Sequence, residues 1–392
     1  MGQLTMLKLR GKIEVVNKTW HEPRLLTVTA NSSLPNVLRK KHVLLQDKDS
    51  LPIEGFAATI LRQSSDQPSE LSARGENLYI VGKDYDYLGD GDVVRLNPIG
   101  NSISSLYRRE SNHNTVLLTE RCNNYCLMCS QPPKDVDDSW IMDDAFELIN
   151  LIPMQTQSLG FSGGEPTLYG SRFIELMRHV KNQLPTTSLD VLSNGRGFKD
   201  EEFARALGRV AHPDLMIGIP VYSDDPVRHD YIVQAQGAFD ETIRGILNLK
   251  RFGQKVEIRI VIHRETLPRL VQTCEFIARN LVFVDHVALM GLEITGFTRA
   301  NLGLLWADPA DYKDTLSEAV SVLNSYGINT SVYNHQLCTI NADVLPNYRR
   351  SISDWKNEYI DKCNSCSRKA ECGGFFSSAV QYRHSDHITP FH

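Results

Sequence analysis

The side chains most able to do chemistry in this 392-residue chain are its eight cysteines, and their distribution indicates which chemistry. Cys122, Cys126 and Cys129 lie at a C-x3-C-x2-C spacing, Cys363, Cys366 and Cys372 at a C-x2-C-x5-C spacing with Cys338 upstream, and only Cys274 stands apart, in an amphipathic stretch that suits a small core residue. In a reducing compartment such groups of soft thiolates point to iron–sulfur or zinc rather than to disulfides. A cubane of four irons needs four ligands; the first set supplies three and leaves one position open, as catalytic metal sites do. The second set has four thiolates and could close a cluster completely, while a structural zinc site is the alternative that its spacing also permits. The twelve histidines show no metal-ligand spacing.

The elements that must position these thiols are legible as periodicity. From Asn114 onward apolar strands alternate with amphipathic helical stretches, the pattern of βα units around a parallel sheet. Strands are expected at 116–120, 158–163, 188–194, 215–223, 255–263 and 285–293, and helices at about 142–152, 171–183, 200–208, 238–252 and 267–280. Six such units form an α/β partial (βα)6 TIM-like barrel, in which ligands bind at the C-terminal ends of the strands. The cysteine triad follows the first strand; Gly163, Gly164, Glu165 and Pro166 end the second, Ser193 and Asn194 the third, and Ser223 the fourth.

Residues 1–110 hold short strand-like runs separated by turn chemistry, so a β-rich domain is expected there, with 63–76, polar and serine-rich, as an exposed loop. The barrel is expected over 111–308. A helix near 309–326 then opens a small C-terminal domain, 309–392, whose last part has four cysteines and little periodicity, as a region stabilised by a metal centre would.

Asp and Glu (47) slightly outnumber Lys and Arg (42), and the net charge of −5 gives no case for nucleic acid or an anionic membrane as a partner. No apolar run approaches a bilayer span and the first residues lack a signal-peptide pattern, so a soluble, cytoplasmic protein is expected. Met1-Gly2 resembles a myristoylation start, but Met6 stands where Ser or Thr is needed.

Taken in order, the triad, the Gly-Gly-Glu-Pro turn and the following strand ends resemble the radical S-adenosylmethionine (SAM) superfamily. The resemblance implies a [4Fe-4S] cluster on Cys122, Cys126 and Cys129 whose fourth iron binds S-adenosyl-L-methionine. It implies that Glu165, within Gly163, Gly164 and Pro166, accepts from the cofactor's ammonium. It places Ser193 and Asn194 near the ribose and Ser223 near the carboxylate. Met128 stands where the family usually has an aromatic near the adenine, while Tyr125 precedes the second cysteine. The implied chemistry is reductive cleavage of the cofactor to methionine and a 5′-deoxyadenosyl radical, which abstracts hydrogen from a substrate. No acid or base is identified; Arg259, Glu293 and Tyr382 are polar candidates for which surface or packing roles are the more ordinary reading.

Cys338, Cys363, Cys366 and Cys372 resemble the shorter auxiliary-cluster domain of peptide-modifying members, which implies a second [4Fe-4S] cluster. The strings from Cys122 to Pro133, Gly160 to Pro166 and Cys372 to Ser378 are similar to the His-Xaa-Ser system radical SAM maturase, HxsC type, over about 80 to the C-terminus. That resemblance implies a ribosomally made precursor peptide as substrate, oxidised by crosslinking or another change, a second radical SAM maturase as partner, and a reductant such as ferredoxin or flavodoxin. An enzyme acting on a nucleotide or small metabolite, and a non-catalytic iron–sulfur partner protein, are the competing readings.

Overall fold

A computed structural model of the chain describes residues 8–47, 50, 53–62, 77–350 and 357–392. The stretch 63–76, expected as an exposed loop, lies outside the described residues.

The described strands form two sheets. The first is mixed, with β1 (Arg10–Lys12), β2 (Glu14–Asn17), β3 (Arg24–Thr29), β4 (His42–Asp47), β5 (Ala58–Arg62), β6 (Leu78–Val81), β7 (Val93–Asn97) and β8 (Ser102–Tyr107) in the order β1-β8-β7-β3-β4-β5-β6-β2. The short α1 (Asn36–Arg39) joins β3 to β4. Val28, Val43, Ile60, Tyr79, Val94 and Ile103 alternate onto one face of this sheet and close a core of their own.

The second sheet is parallel throughout and runs in sequence order from one edge to the other: β9 (Thr115–Leu117), β10 (Ser158–Ser162), β11 (Ser188–Leu192), β12 (Leu215–Pro220), β13 (Lys255–Ile262), β14 (His286–Gly291) and β15 (Thr330–Tyr333). It curls into a half-barrel wrapped by α2 (Ser139–Leu151), α3 (Ser171–Gln183), α4 (Glu201–Gly208), α5 (Pro226–Val233), α6 (Ala238–Arg251), α7 (Leu270–Asn280) and α10 (Lys313–Ser325), with the one-turn helices α8 (Phe297–Ala300) and α9 (Leu302–Leu305) after β14 and α11 (Ser377–Tyr382) near the end. Phe161, Val191, Ile217, Ile219, Ile258, Ile260 and Leu289 alternate outward beneath the helices in one large core. The residues between them face the hollow side, and the β13 pattern shows the split: Val256, Ile258, Ile260 and Ile262 are buried, while Glu257, Arg259 and Val261 are only half-buried.

Two features depart from the sequence expectation. The barrel sheet does not stop at six strands: β15 pairs with β14 through Val287↔Thr330 to Met290↔Tyr333, inside the stretch assigned to the C-terminal domain. Four residues, Thr-Ser-Val-Tyr, are too short a run to register as a strand by periodicity alone. The link between β12 and α6 also holds a helix, α5, which starts with Asp225 capping the Val227 N–H and Pro226 in the first turn. Its apolar residues face the cysteine loop rather than following a long amphipathic stripe.

Candidate functional site

The Cys122–Cys129 segment leaves β9 as irregular backbone, so its carbonyls and N–H groups need partners from elsewhere. Three neighbours supply them. After β10, the Gly164 N–H donates to the Thr119 carbonyl (2.8 Å) and the Glu165 N–H to the Arg121 carbonyl (2.8 Å). A Cβ on Gly164 would lie 2.1 Å from the Arg121 oxygen, so only glycine admits this approach. From α5, the Val233 and Ile232 carbonyls accept from Tyr125 and Leu127 (3.0 and 2.9 Å). After β14, the Phe297 N–H donates to the Cys129 carbonyl (2.8 Å), Thr298 Oγ1 to Met128 (3.1 Å) and Asn301 Nδ2 to Leu127 (2.8 Å).

Polar side chains complete the enclosure. Asp138 is almost fully buried. It is positioned as the N-cap of α2 but makes no cap bond; one of its oxygens accepts from Thr119 Oγ1 and the Glu120 N–H, the other from Arg121 Nε and the Tyr169 hydroxyl. Asn194 Nδ2 donates to Asn123 Oδ1 (2.6 Å), and Arg196 Nη1 donates to the Asn123 carbonyl (2.7 Å) and to Asn124 Oδ1 (2.6 Å). None of Asp138, Asn123, Asn124, Arg196, Thr298 or Asn301 emerges from sequence patterns. The one available signal was Asp137-Asp138-Ser139 as a helix start, which the later expected start of α2 concealed.

The three thiols are half-buried and stand within electrostatic reach of one another. Burial pushes Cys126 up to about 12 and Cys122 up to about 11, each with further upward pressure from neighbouring cysteines. Bound iron would displace those protons with its own positive charge. The Asn124 N–H already points at Cys122 Sγ (3.4 Å), a donor that favours a thiolate. Three thiols on one clamped loop therefore fit a group that takes three protein ligands. Among the described residues no three His, Cys, Asp or Glu side chains are arranged around a single metal ion. A single zinc would need each thiolate about 2.3 Å from its centre.

The residues expected around the nucleoside cofactor sit beside this loop but are engaged by the protein. Glu165 is completely buried; one of its oxygens accepts from the Thr167 N–H, Thr167 Oγ1 and Ser193 Oγ, the other from the Asn194 N–H. Burial raises its pKa and those four donors oppose the shift. Gly163 and Gly164 press against Thr119, Arg121 and Cys122, so the close approach they permit is to the cysteine loop. Pro166 starts the turn of 3-10 helix over Pro166–Tyr169. Ser193 and Asn194 tie β11 to Glu165. Ser223 is fully buried and its Oγ accepts from the Asp225 N–H, the ordinary turn geometry. Met128 packs with Tyr222, Ile232, Val233 and Leu305 behind the loop, and the exposed ring of Tyr125 stacks on Phe297 at 6.4 Å.

The second cysteine set also converges. Cys338, Cys363, Cys366 and Cys372 line one cavity with Tyr359, Phe375, Ile388 and Phe391. The turn that carries Cys372 is fixed from three sides. Tyr348 Oη accepts from the Gly373 N–H (2.6 Å), Tyr359 Oη donates to the Cys372 carbonyl (2.7 Å), and Gln336 Nε2 donates to the Gly374 carbonyl (2.8 Å). The Gly374 N–H reaches Cys372 Sγ at 3.4 Å. Four thiols around one largely apolar cavity fit a group with four protein ligands. Cys274 is fully buried in the core on α7, and Tyr382 packs under the Arg299 guanidinium at 4.9 Å.

Comparison with known proteins gives a family to the stretch that carries the first of these two sites. The radical SAM superfamily profile matches residues 116–277. Over 155 residues the chain is 28% identical to Fe-coproporphyrin III synthase of Methanosarcina barkeri, a match covering 38% of this chain and 37% of that relative. Among solved structures it is similar to Streptococcus suis SuiB bound to S-adenosylmethionine (TM-score 0.44, 15% identity, 56% of this chain and 50% of that one). It is also similar to anSMEcpe with bound AdoMet (TM-score 0.42, 18% identity, 56% and 63%). The chain thus spans about half the length, or less, of the first relatives it matches. Residues 116–277, from the first barrel strand through α7, are a radical SAM superfamily domain.

Proposed function

We propose that the protein is a radical SAM enzyme that modifies a ribosomally synthesised peptide bearing His-Xaa-Ser repeats, by hydrogen abstraction leading to a crosslink or another oxidative change. In this reading Cys122, Cys126 and Cys129 hold a [4Fe-4S] cluster with an open iron, and Cys338, Cys363, Cys366 and Cys372 hold an auxiliary cluster. When bound, the first cluster supplies the electron that cleaves S-adenosyl-L-methionine. The chain's own work is to hold the cysteine loop, through Asp138, Gly164, Arg196 and Asn301, and to keep water from it. Glu165, Ser193 and Asn194 fix the neighbouring strand ends that would hold the cofactor, with Ser223 and Met128 behind them.

The observation that carries the reading is the grouping of seven thiols, three on one loop within electrostatic reach of one another and four lining one cavity. The open site suits chemistry and the closed one suits storage or transfer of an electron released by an oxidised peptide. A second radical SAM maturase and a ferredoxin or flavodoxin are the partners this chemistry calls for, and thiolate clusters suit a reducing cytoplasm. No helix among the described residues is long and apolar enough to cross a membrane.

Anaerobic reconstitution tests the reading directly. The protein should bind about eight irons, about four in a Cys363→Ala/Cys366→Ala variant, and should form 5′-deoxyadenosine with dithionite and a repeat-bearing peptide. About four irons with one zinc would remove the auxiliary cluster. A second reading, action on a small metabolite, is favoured by the relative named Fe-coproporphyrin III synthase. It predicts 5′-deoxyadenosine with a tetrapyrrole and none with the peptide.

A further inference from the structure

The hollow side of the parallel sheet encloses a cavity of about 480 Å³ that the cysteine sites do not use. Its floor is made by residues of β10, β11, β13, β14 and β15, and its opposite wall by 105–108 of β8 and the connection to β9, so both sheets build it. Two glycines open the space. Gly160 stands in register with Asp190, and Gly218 with Leu192 on one side and Glu257 on the other. A Cβ on Gly218 would come within 3.0 Å of Leu192 and 3.1 Å of Arg259, so a larger residue there would crowd two side chains that line the cavity. The wall is rigid: Asn114 accepts from the Arg108 N–H (2.8 Å) and donates to the Arg108 and Ser111 carbonyls, and the Tyr107 hydroxyl meets Thr156 Oγ1 at 2.8 Å.

The charges in the cavity are unequally satisfied. Glu257 lies 3.4 Å from Arg259 and 2.7 Å from His286 Nδ1, whose Nε2 meets Ser331 Oγ at 2.9 Å. Arg259 also rests on the Met290 sulfur at 3.2 Å. Arg259, on the floor, is thus already engaged, while Arg108 and His113 line the opposite wall. Asp190 makes no hydrogen bond or ion pair among the described residues, although it is open to the cavity. The recess still desolvates it, and burial followed by the nearby Glu257 pushes its pKa up, against Arg259 and His113. Asp190 is exposed within this open cavity, and an N–H-bearing cation that filled the space beside it would make a charge-assisted hydrogen bond and displace solvent from the carboxylate.

We propose that Asp190, with Glu257 beside it, is the recognition site for a cationic N–H-bearing side chain of the substrate, an imidazolium or an ammonium, inserted into the cavity between the two sheets. The inference rests on the peptide reading above and deepens it: the histidine of a His-Xaa-Ser repeat carries the required group. It also gives the N-terminal sheet a part in the reaction, as one wall of the substrate site.

The test titrates the reconstituted holoenzyme with four blocked amino acids, the N-acetyl methylamides of histidine, lysine, glutamate and leucine, followed by saturation-transfer NMR and calorimetry. The histidine and lysine probes should bind the wild type, the other two should not, and Asp190→Asn should weaken the binding by about tenfold or more. Asp190→Glu should restore it, which separates a lost charge from a damaged fold. Binding of no probe, equal binding of the glutamate or leucine probe, or unchanged binding in Asp190→Asn would each overturn the proposal. The wild-type selectivity stands even if the variants do not fold. These titrations need no turnover, so absence of 5′-deoxyadenosine with a repeat peptide, alongside Asp190-dependent binding, would remove the peptide reading and leave this site in place.

Discussion

At the scale of single residues, the site depends on polar side chains that spend their bonds on backbone. Asp138 takes four donors from the strand end, the cysteine loop and Tyr169, and although burial opposes it, the Glu120 N–H, Thr119 and Tyr169 hydroxyls and the Arg121 guanidinium hold its carboxyl below the usual range. Asp138→Asn keeps the volume but turns an amide toward those donors, and should cost about 1–3 kcal/mol. A carboxylate whose folded pKa is depressed adds stability that is fully present above its unfolded pKa of 3.8 and vanishes as pH falls through the folded value. The wild-type advantage over Asp138→Asn, read from denaturant midpoints, should therefore hold steady above about pH 5 and shrink below about pH 4. A gap that stays constant down to pH 2 would refute the assignment. Glu165 illustrates the same economy of placement. Expected as a cofactor acceptor, it is surrounded by four donors of its own fold, because a completely buried carboxylate needs every partner it can reach.

At the scale of elements, the cysteine loop is held by the ends of β10, α5 and the turn before α8, and two glycines mark the tightest contacts. Gly164 faces the Arg121 carbonyl, while Gly296, at φ 52°, would place a Cβ 2.3 Å from the Cys129 carbonyl. Neither obstacle is the free end of a flexible side chain, so relief requires the loop to move. Gly164→Ala and Gly296→Ala should each cost about 1–3 kcal/mol and lower the iron retained by the triad, while the C-terminal set keeps its own. Iron analysis and the visible absorbance of reconstituted variants that also carry Cys363→Ala and Cys366→Ala would report the triad alone. Full iron retention in both would show that the loop is less constrained than its contacts indicate. Gly163-Gly164-Glu165-Pro166 was legible from its composition and place as a turn at the end of the second barrel strand. What its glycines approach was not, because the sequence does not say which backbone lies opposite.

At the scale of the whole molecule, three buried histidines make stability depend on pH. Burial lowers His229 to about 4, His263 to about 3 and His335 to about 4, the last opposed by its bond to the Tyr333 carbonyl. Each is neutral in the fold and takes a proton once exposed, so its contribution is fully present above the unfolded value of 6.5 and is lost as pH falls toward the folded one. Stability should fall by about 1.4 kcal/mol per histidine for each pH unit between about 6.5 and 4. Denaturant midpoints at pH 7, 6 and 5 check this; a flat profile would mean that these rings are not held neutral. The three lie on different elements of the half-barrel and its C-terminal extension, so a shared loss would also report that these parts unfold together.

The sequence by itself determined the kind of scaffold and pointed to the kind of chemistry. Thiol spacing is a local property, set along a few residues of one loop, and the alternation of apolar strands with amphipathic helices follows directly from burying one side of each element. Both survive without knowledge of what lies opposite. Only the tertiary structure decided which side chains enclose the loop, that Glu165, Ser223 and Met128 face protein, that a four-residue strand closes the sheet edge, and that Cys338 meets Cys363, Cys366 and Cys372 across a gap of 25 or more residues. It also decided that Asp190 opens into the cavity with no hydrogen bond or ion pair among the described residues, a placement that depends on the register of β10 with β11. Contacts of this sort are made between segments distant in sequence, where no periodicity links one residue to the other.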